Sequence, residues 1–172
     1  MPRGYIQVYT GNGKGKTTAA LGLALRAAGA GLPVFIAQFI KKRKTSEHRA
    51  LERFRDMITV RQYGRGLILK REPDEADRKA AEEGIEELRD IIQSGDYRVV
   101  ILDEANVAVH RNLFPINELL ELMVLKPKSV ELVITGRYAD KKITRIADLV
   151  TEMREKRHYK EKGVKARVGI ER

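Results

Sequence analysis

A lysine and a threonine that follow a spaced set of glycines are the residues best suited to chemistry in this sequence. The segment reads Thr10-Gly11-Asn12-Gly13-Lys14-Gly15-Lys16-Thr17-Thr18. Glycines let backbone N–H groups turn inward around an anion, and a helix that starts there adds the positive end of its dipole. Lys16 brings a full charge to a phosphate, and the Thr17 hydroxyl can ligate Mg²⁺. The usual phosphate loop, G-x-x-x-x-G-K-[ST], has its first glycine where this chain has Thr10; the glycines stand at 11 and 13 instead. An ordinary Gly-rich turn is the plainer reading, and the strand pattern before the loop and the helix pattern after it argue against that. Lys14 is a second cation in the loop, placed either on phosphate or in solvent.

A second group lies at the end of an apolar run, where Val99-Val100-Ile101-Leu102 leads into Asp103-Glu104. A carboxylate aimed from such a strand end can hold a metal, directly or through water. Glu104 can alternatively orient an attacking water, as in a hydrolase. Alone, the pair would read as a helix cap or a surface ion pair; behind a phosphate loop it reads as a Walker B strand end. Arg137 follows Thr135-Gly136 at the end of another apolar run, either to stabilise phosphate charge or as a solvated surface arginine.

The elements that must position these groups alternate along the chain. Strands are expected at 5–10, 33–40, 58–63, 99–102, 130–135 and 149–153. Helices are expected at 15–28, 46–56, from Pro73 in the first helical position to Gly95, at 113–125, and from about 138 to 147. In the long helix Ala80, Ala81, Gly84, Ile85, Leu88, Ile91 and Ile92 share one face, and Gly95 is a stop. Strands apolar on both faces, separated by helices, imply an α/β fold in three layers: a doubly wound, mostly parallel sheet covered on both sides, like that of P-loop NTPases. Ligands bind such sheets beyond the carboxyl ends of the strands. Residues 10–17, 103–104 and 135–137 should therefore converge on one rim.

Composition bounds the rest. At 172 residues the chain has the length of one domain, expected over 1–172. The absence of cysteine excludes a disulfide scaffold, thiolate metal sites and a cysteine nucleophile, and the three histidines are scattered. No apolar stretch approaches the ~20 residues that span a bilayer, and no signal-peptide pattern opens the chain. These features predict a cytoplasmic protein with no membrane partner. With 34 Lys+Arg against 24 Asp+Glu the net charge is +10, which favours an anionic partner. Only 6% of the residues are aromatic and Trp is absent, which argues against stacking on nucleic acid. The basic run Lys41-Lys42-Arg43-Lys44 is expected to be a solvated loop.

Taken together, the loop Thr10–Ala20, Gln38-Phe39-Ile40-Lys41, Val100–Glu104, Thr135-Gly136-Arg137, Ala147–Met153, and Gly163-Val164-Lys165-Ala166 through Gly169-Ile170-Glu171 resemble the ATP:corrinoid adenosyltransferases of the phosphate-loop type, in order and spacing over essentially the whole chain. The resemblance implies a homodimer that transfers the 5′-deoxyadenosyl group of ATP to cob(I)alamin and releases triphosphate. It also implies a divalent metal (Mg²⁺ or Mn²⁺), a reductase partner that supplies Co(I), and ATP lying in the loop in the reverse sense from hydrolases. Carried onto this chain, ATP is bound by Gly11, Asn12, Gly13, Lys14, Gly15, Lys16, Thr17 and Thr18. The metal falls to Thr17 with Asp103 or Glu104, and catalysis to Lys16, Glu104 and Arg137.

The chain departs from the family pattern in places. The aromatic pair that displaces the corrinoid's lower ligand corresponds to Leu67 and Leu69, after Gly66. The usual Lys-Gly after the second strand is Lys41-Lys42, a Lys-His pair near the end is Arg157-His158, and Met1 lies only a few residues before the first strand. The competing reading is a phosphate-loop ATPase or nucleotide kinase, possibly associated with nucleic acid, in which Glu104 would activate water or serve as base.

Overall fold

Strands that are apolar at every position need cover on both faces, and β2 (Val34–Gln38) and β4 (Val99–Asp103) are buried at all five of theirs. The computed structural model describes residues 3–66 and 71–171. In it these strands join β1 (Ile6–Thr10), β3 (Ile58–Gln62), β5 (Glu131–Thr135) and β6 (Leu149–Glu152). All pair in parallel, in the order β3-β2-β4-β5-β1-β6.

The period of two along each strand divides the core. On one face Val34, Ile36, Val99, Ile101 and Val133 meet Ala20, Ala24 and Ala27 of α1 (Lys16–Gly29) and Leu51 of α2 (Ser46–Leu51). On the other, Phe35, Ala37, Val100, Leu102, Leu132 and Ile134 meet α3 (Glu75–Ser94), α4 (Ala105–His110), α5 (Ile116–Leu125) and α6 (Lys141–Ile146). Ala81, Gly84, Ile85, Leu88 and Ile92 are the buried face of α3, with Ala80 and Ile91 at its margin. Each fully buried Leu or Ile contributes about 1.5–3 kcal/mol. The alanine stripe of α1 lets that helix lie close across β4 and β5, which carries the loop at its start over the acidic end of β4.

Several boundaries differ from expectation. Pro73 lies outside α3, because Asp74 caps it: the Asp74 carboxylate accepts the Asp77 amide (2.8 Å) and the Asp77 carboxylate accepts the Asp74 amide (3.0 Å). The Arg71 guanidinium on Asp77 holds that carboxyl at a pKa of about 2. The helix at 46 closes at Leu51 into one 3-10 turn, Glu52–Phe54. Pro115 caps α5, which begins at Ile116 rather than at 113. α4 was not foreseen, since it follows β4 with no loop; Glu104, in the left-handed region (φ 62°), makes the whole turn. β6 is an edge strand exposed at all four residues.

Candidate active site

Because every strand runs the same way, the carboxyl ends of β1, β4 and β5 share one rim, and residues 10–17, 103–104 and 135–137 meet there as expected. The loop from β1 to α1 is folded around Lys16, whose ammonium donates to the carbonyls of Gly11 (2.8 Å) and Gly13 (2.7 Å). Burial pushes the Lys16 pKa down; Glu104 acts against this and Arg137 with it. Gly11 has φ +94°, and a Cβ there would stand 2.4 Å from the Met153 carbonyl oxygen. At Gly13 a Cβ would stand 2.8 Å from the same oxygen.

That closeness has a use. The Gly13 amide donates to Met153 O (2.7 Å), the Met153 amide donates to Thr10 O (2.9 Å), and Asn12 Oδ1 accepts the Glu155 amide (3.1 Å). The chain after β6 therefore pins the first half of the loop. Asn12 and the Gly13 amide serve this attachment, which leaves the first turn of α1, with its unpaired N–H groups, as the anion-facing part. Thr10, which stands in place of the usual first glycine, accepts the Ala139 amide on its hydroxyl (3.4 Å). Lys14 is neither bare nor in the loop's interior. Its ammonium reaches the Tyr159 hydroxyl (3.1 Å) and Glu171 (3.1 Å), and these two bonds raise its pKa.

Asp103 is the hub of the rim and is 1% exposed. Its Oδ1 accepts the hydroxyls of Thr17 (2.8 Å) and Thr135 (2.9 Å). Its Oδ2 accepts Gln38 Nε2 (3.1 Å) and the Lys41 ammonium (3.3 Å). Thr135 also accepts the Glu104 amide on its hydroxyl oxygen (3.0 Å), so it ties both acidic residues to β5. Lys41 is bound to Glu47 as well (3.5 Å). Burial would lower its pKa, but Asp103 and then Glu47 outweigh this and raise it. Lys41 is thus a member of the site, whereas Lys42, Arg43 and Lys44 are exposed as the solvated-loop reading expects.

Glu104 stands beside this hub, half-buried. Burial, then the charge of Asp103, raises its pKa, against Lys41, Lys16 and Arg137. Arg137 is exposed, yet its charge acts on both Lys16 and Glu104, so the structure brings it to the rim. It also lines a cleft of about 530 Å³ with Thr10, Gly11, Tyr138 and Arg154. Leu67 and Leu69 lie outside the described residues.

The donor set suits a hard divalent cation. Thr17 gives its proton to Asp103 and keeps its lone pairs, and Glu104 adds a carboxylate raised in pKa by burial and then by the charge of Asp103. Among the described residues no group of three or more His, Cys, Asp or Glu gathers. Mg²⁺ needs no such cage, since it binds through one or two carboxylates together with substrate phosphates.

Residues 2–172 match the family described as ATP:corrinoid adenosyltransferase BtuR/CobO/CobP. The chain belongs to that family. It is 35% identical over 175 residues to the "Corrinoid adenosyltransferase" of Escherichia coli (strain K12), covering 98% of this chain and 86% of the relative. It is 35% identical over 175 residues, with the same coverage, to the "Corrinoid adenosyltransferase CobA" of Salmonella typhimurium. To the "Corrinoid adenosyltransferase" of Pseudomonas aeruginosa it is 32% identical over 170 residues, covering 98% and 84%. The chain is thus a member of a transferase family, and the hydrolase and kinase readings are not favoured. Within the adenosyltransferase rim, sequence reasoning missed His48; it placed Thr135 on the rim without its bond to Asp103, and it quoted Lys41 only beside a strand end and in a basic run. Gln38, which it quoted only as the end of the second strand, also bonds Asp103. The available signal was position: Gln38 and Thr135 each end an apolar strand, and Gln38 lies in register with Asp103.

Proposed function

We propose that this chain, as one nucleotide-binding domain over 1–172, transfers the 5′-deoxyadenosyl group of ATP to the cobalt of a reduced corrinoid and releases triphosphate. The observation that supports this best is the convergence of Lys16, Thr17 and the Asp103–Glu104 pair on one rim. In the transfer the Co(I) electron pair forms the bond to C5′ while the C5′–O bond breaks and its electrons leave with triphosphate. The leaving group is a polyanion, so the work of the protein is to hold ATP still and to stabilise growing charge, with no water to activate.

Lys16 and the first turn of α1 supply fixed positive charge to the phosphates, and Arg137 adds to it from the cleft side. Thr17 with Glu104, and Asp103 behind Thr17, would hold Mg²⁺ or Mn²⁺. When bound, the metal neutralises triphosphate charge. Leu67 and Leu69 are proposed to crowd the lower face of the corrin and keep its axial ligand off cobalt. The proposal extends to a cytoplasmic homodimer served by a reductase that delivers Co(I). No helix of the described residues is long and apolar enough to cross a membrane.

The test is incubation with ATP, Mg²⁺ and reduced cobalamin. A light-sensitive cobalt–carbon product with triphosphate as co-product is expected; phosphate as the product of ATP turnover would favour a hydrolase.

A further inference from the structure

One buried titratable side chain beside the rim takes no part in the steps above. His48, in the first turn of α2, is buried. Its Nδ1 accepts the Thr45 backbone N–H at 3.0 Å, and the Thr45 hydroxyl lies 2.9 Å from the same nitrogen. A backbone N–H can only donate, so Nδ1 carries no proton and the neutral ring holds its proton on Nε2. Nε2 lies 2.7 Å from Gln38 Oε1 and donates to it. Gln62 Nε2 donates to that same oxygen at 3.1 Å.

With its oxygen fixed between two donors, Gln38 turns its NH₂ the other way, onto Asp103 Oδ2 at 3.1 Å. A single backbone amide therefore sets a tautomer, an amide orientation and the paired side of a carboxylate in sequence. Burial holds the His48 pKa below its ordinary value, with Lys41 and Lys44 helping and Glu47 and Asp103 opposing. The neutral ring that the chain of bonds requires is the form the site favours.

We propose that His48 is a positioning residue for Asp103: acting through Gln38, it fixes the carboxylate so that Oδ1 faces Thr17, where the metal of a bound Mg²⁺–ATP would be held. This rests on the functional reading above. Outer partners of this kind act on metal affinity by holding the inner ligands in one orientation.

Two substitutions separate this role from capping of α2. In His48→Asn the amide oxygen can accept the Thr45 N–H but the side chain is too short to reach Gln38. In His48→Gln the side chain is long enough for its amide nitrogen to reach Gln38. The measurement is ATP binding by calorimetry at a series of Mg²⁺ concentrations, with thermal midpoints recorded for each variant. His48→Asn should keep its thermal midpoint yet need about tenfold more Mg²⁺ for the same ATP affinity, the lower end of the usual effect of an outer partner. His48→Gln should stay within about threefold of wild type in Mg²⁺ dependence.

Wild-type Mg²⁺ dependence in His48→Asn would overturn the proposal and leave His48 as a cap alone. Equal Mg²⁺ defects in His48→Gln and His48→Phe would overturn it too. Lys16→Ala, run alongside, keeps the two readings apart. If it binds ATP like wild type, the phosphate-loop reading fails and takes this inference with it. If it loses ATP while His48→Asn behaves as wild type, only the inference about His48 fails.

Discussion

The two ends of the rim hold their charges in opposite ways. At the β2–β4 end Asp103, Gln38, His48 and Lys41 form a connected network around a carboxylate that is 1% exposed. At the β1–β6 end Lys14, Tyr159, Arg167 and Glu171 form a cluster of similar size near the surface, where the Lys14 side chain is 45% exposed. Arg167 also stacks over the Tyr159 ring, at 5.1 Å from its centroid. Removing one partner from a buried charged pair costs about 3–5 kcal/mol, because the other charge is left stranded. An exposed pair contributes about 0–1 kcal/mol and is screened by salt. The buried end thus fixes where the Asp103 carboxylate and its partners stand, whereas the exposed end adjusts how firmly the loop between β1 and α1 is held.

The largest test of this division is Lys16→Ala, at the junction of the two ends. Transfer should fall by about 10²–10³-fold, the cost of losing one fixed donor to developing charge, read as triphosphate release and cobalt–carbon product. Gly13→Ala strikes the attachment of the loop to Met153, where the added Cβ meets backbone that cannot yield. It should lower stability by about 1–3 kcal/mol, seen as a reduced thermal midpoint together with weaker ATP binding. Glu104→Gln keeps the shape of the buried end and removes one charge. The Mg²⁺ needed for half-maximal rate should rise by about tenfold; unchanged metal dependence with loss of phosphate release would point to water activation instead.

Acid should dismantle the buried end first. The folded pKa of His48 is depressed below 6.5, so its contribution to stability is complete above pH 6.5 and is lost as pH falls through the folded value. Glu171 is also depressed, by Arg167 first and then Tyr159, from 4.5. Its contribution is complete above pH 4.5 and is lost only in stronger acid. Thermal midpoints from pH 7 to 4 should decline, and His48→Phe should flatten that decline. The smallest effect belongs to Glu171→Gln: less than about threefold in ATP affinity, vanishing in high salt. A larger, salt-resistant loss would mean that the exposed end positions substrate after all.

Most of the architecture could be read from the chain because it is local. Each strand is a short apolar run, each helix has its own period and stops, and the Gly-Lys-Thr of the loop lies within a few residues of β1. Asp103 and Glu104 were legible for the same reason. His48 was not, Lys41 and Gln38 were read only at a strand end, and Thr135 was placed on the rim without its partner, because these contacts to Asp103, direct or through Gln38, depend on strand order. β2 and β5 flank β4, an arrangement that no pattern within a single segment specifies. Lys41 was further masked by its neighbours, since a run of four basic residues reads as one solvated stretch although one of the four turns inward. α4 escaped notice because its entry turn is a single left-handed glutamate rather than a glycine or proline.

The place of β1 in the sheet has a consequence for how the protein is made. β1 is the first strand to leave the ribosome, yet its neighbours are β5 and β6, the last two. Asn12 and Gly13 find their partners at Glu155 and Met153, so the loop is closed by residues 143 and 140 positions later. At about 5–20 residues per second, the nascent loop waits on the order of ten seconds or more for its anchors. A chain interrupted before Met153 carries every residue of the Gly-Lys-Thr motif but lacks the bonds from Met153 and Glu155 that pin the loop. The loop thus reaches its pinned shape only in a chain that extends past Glu155.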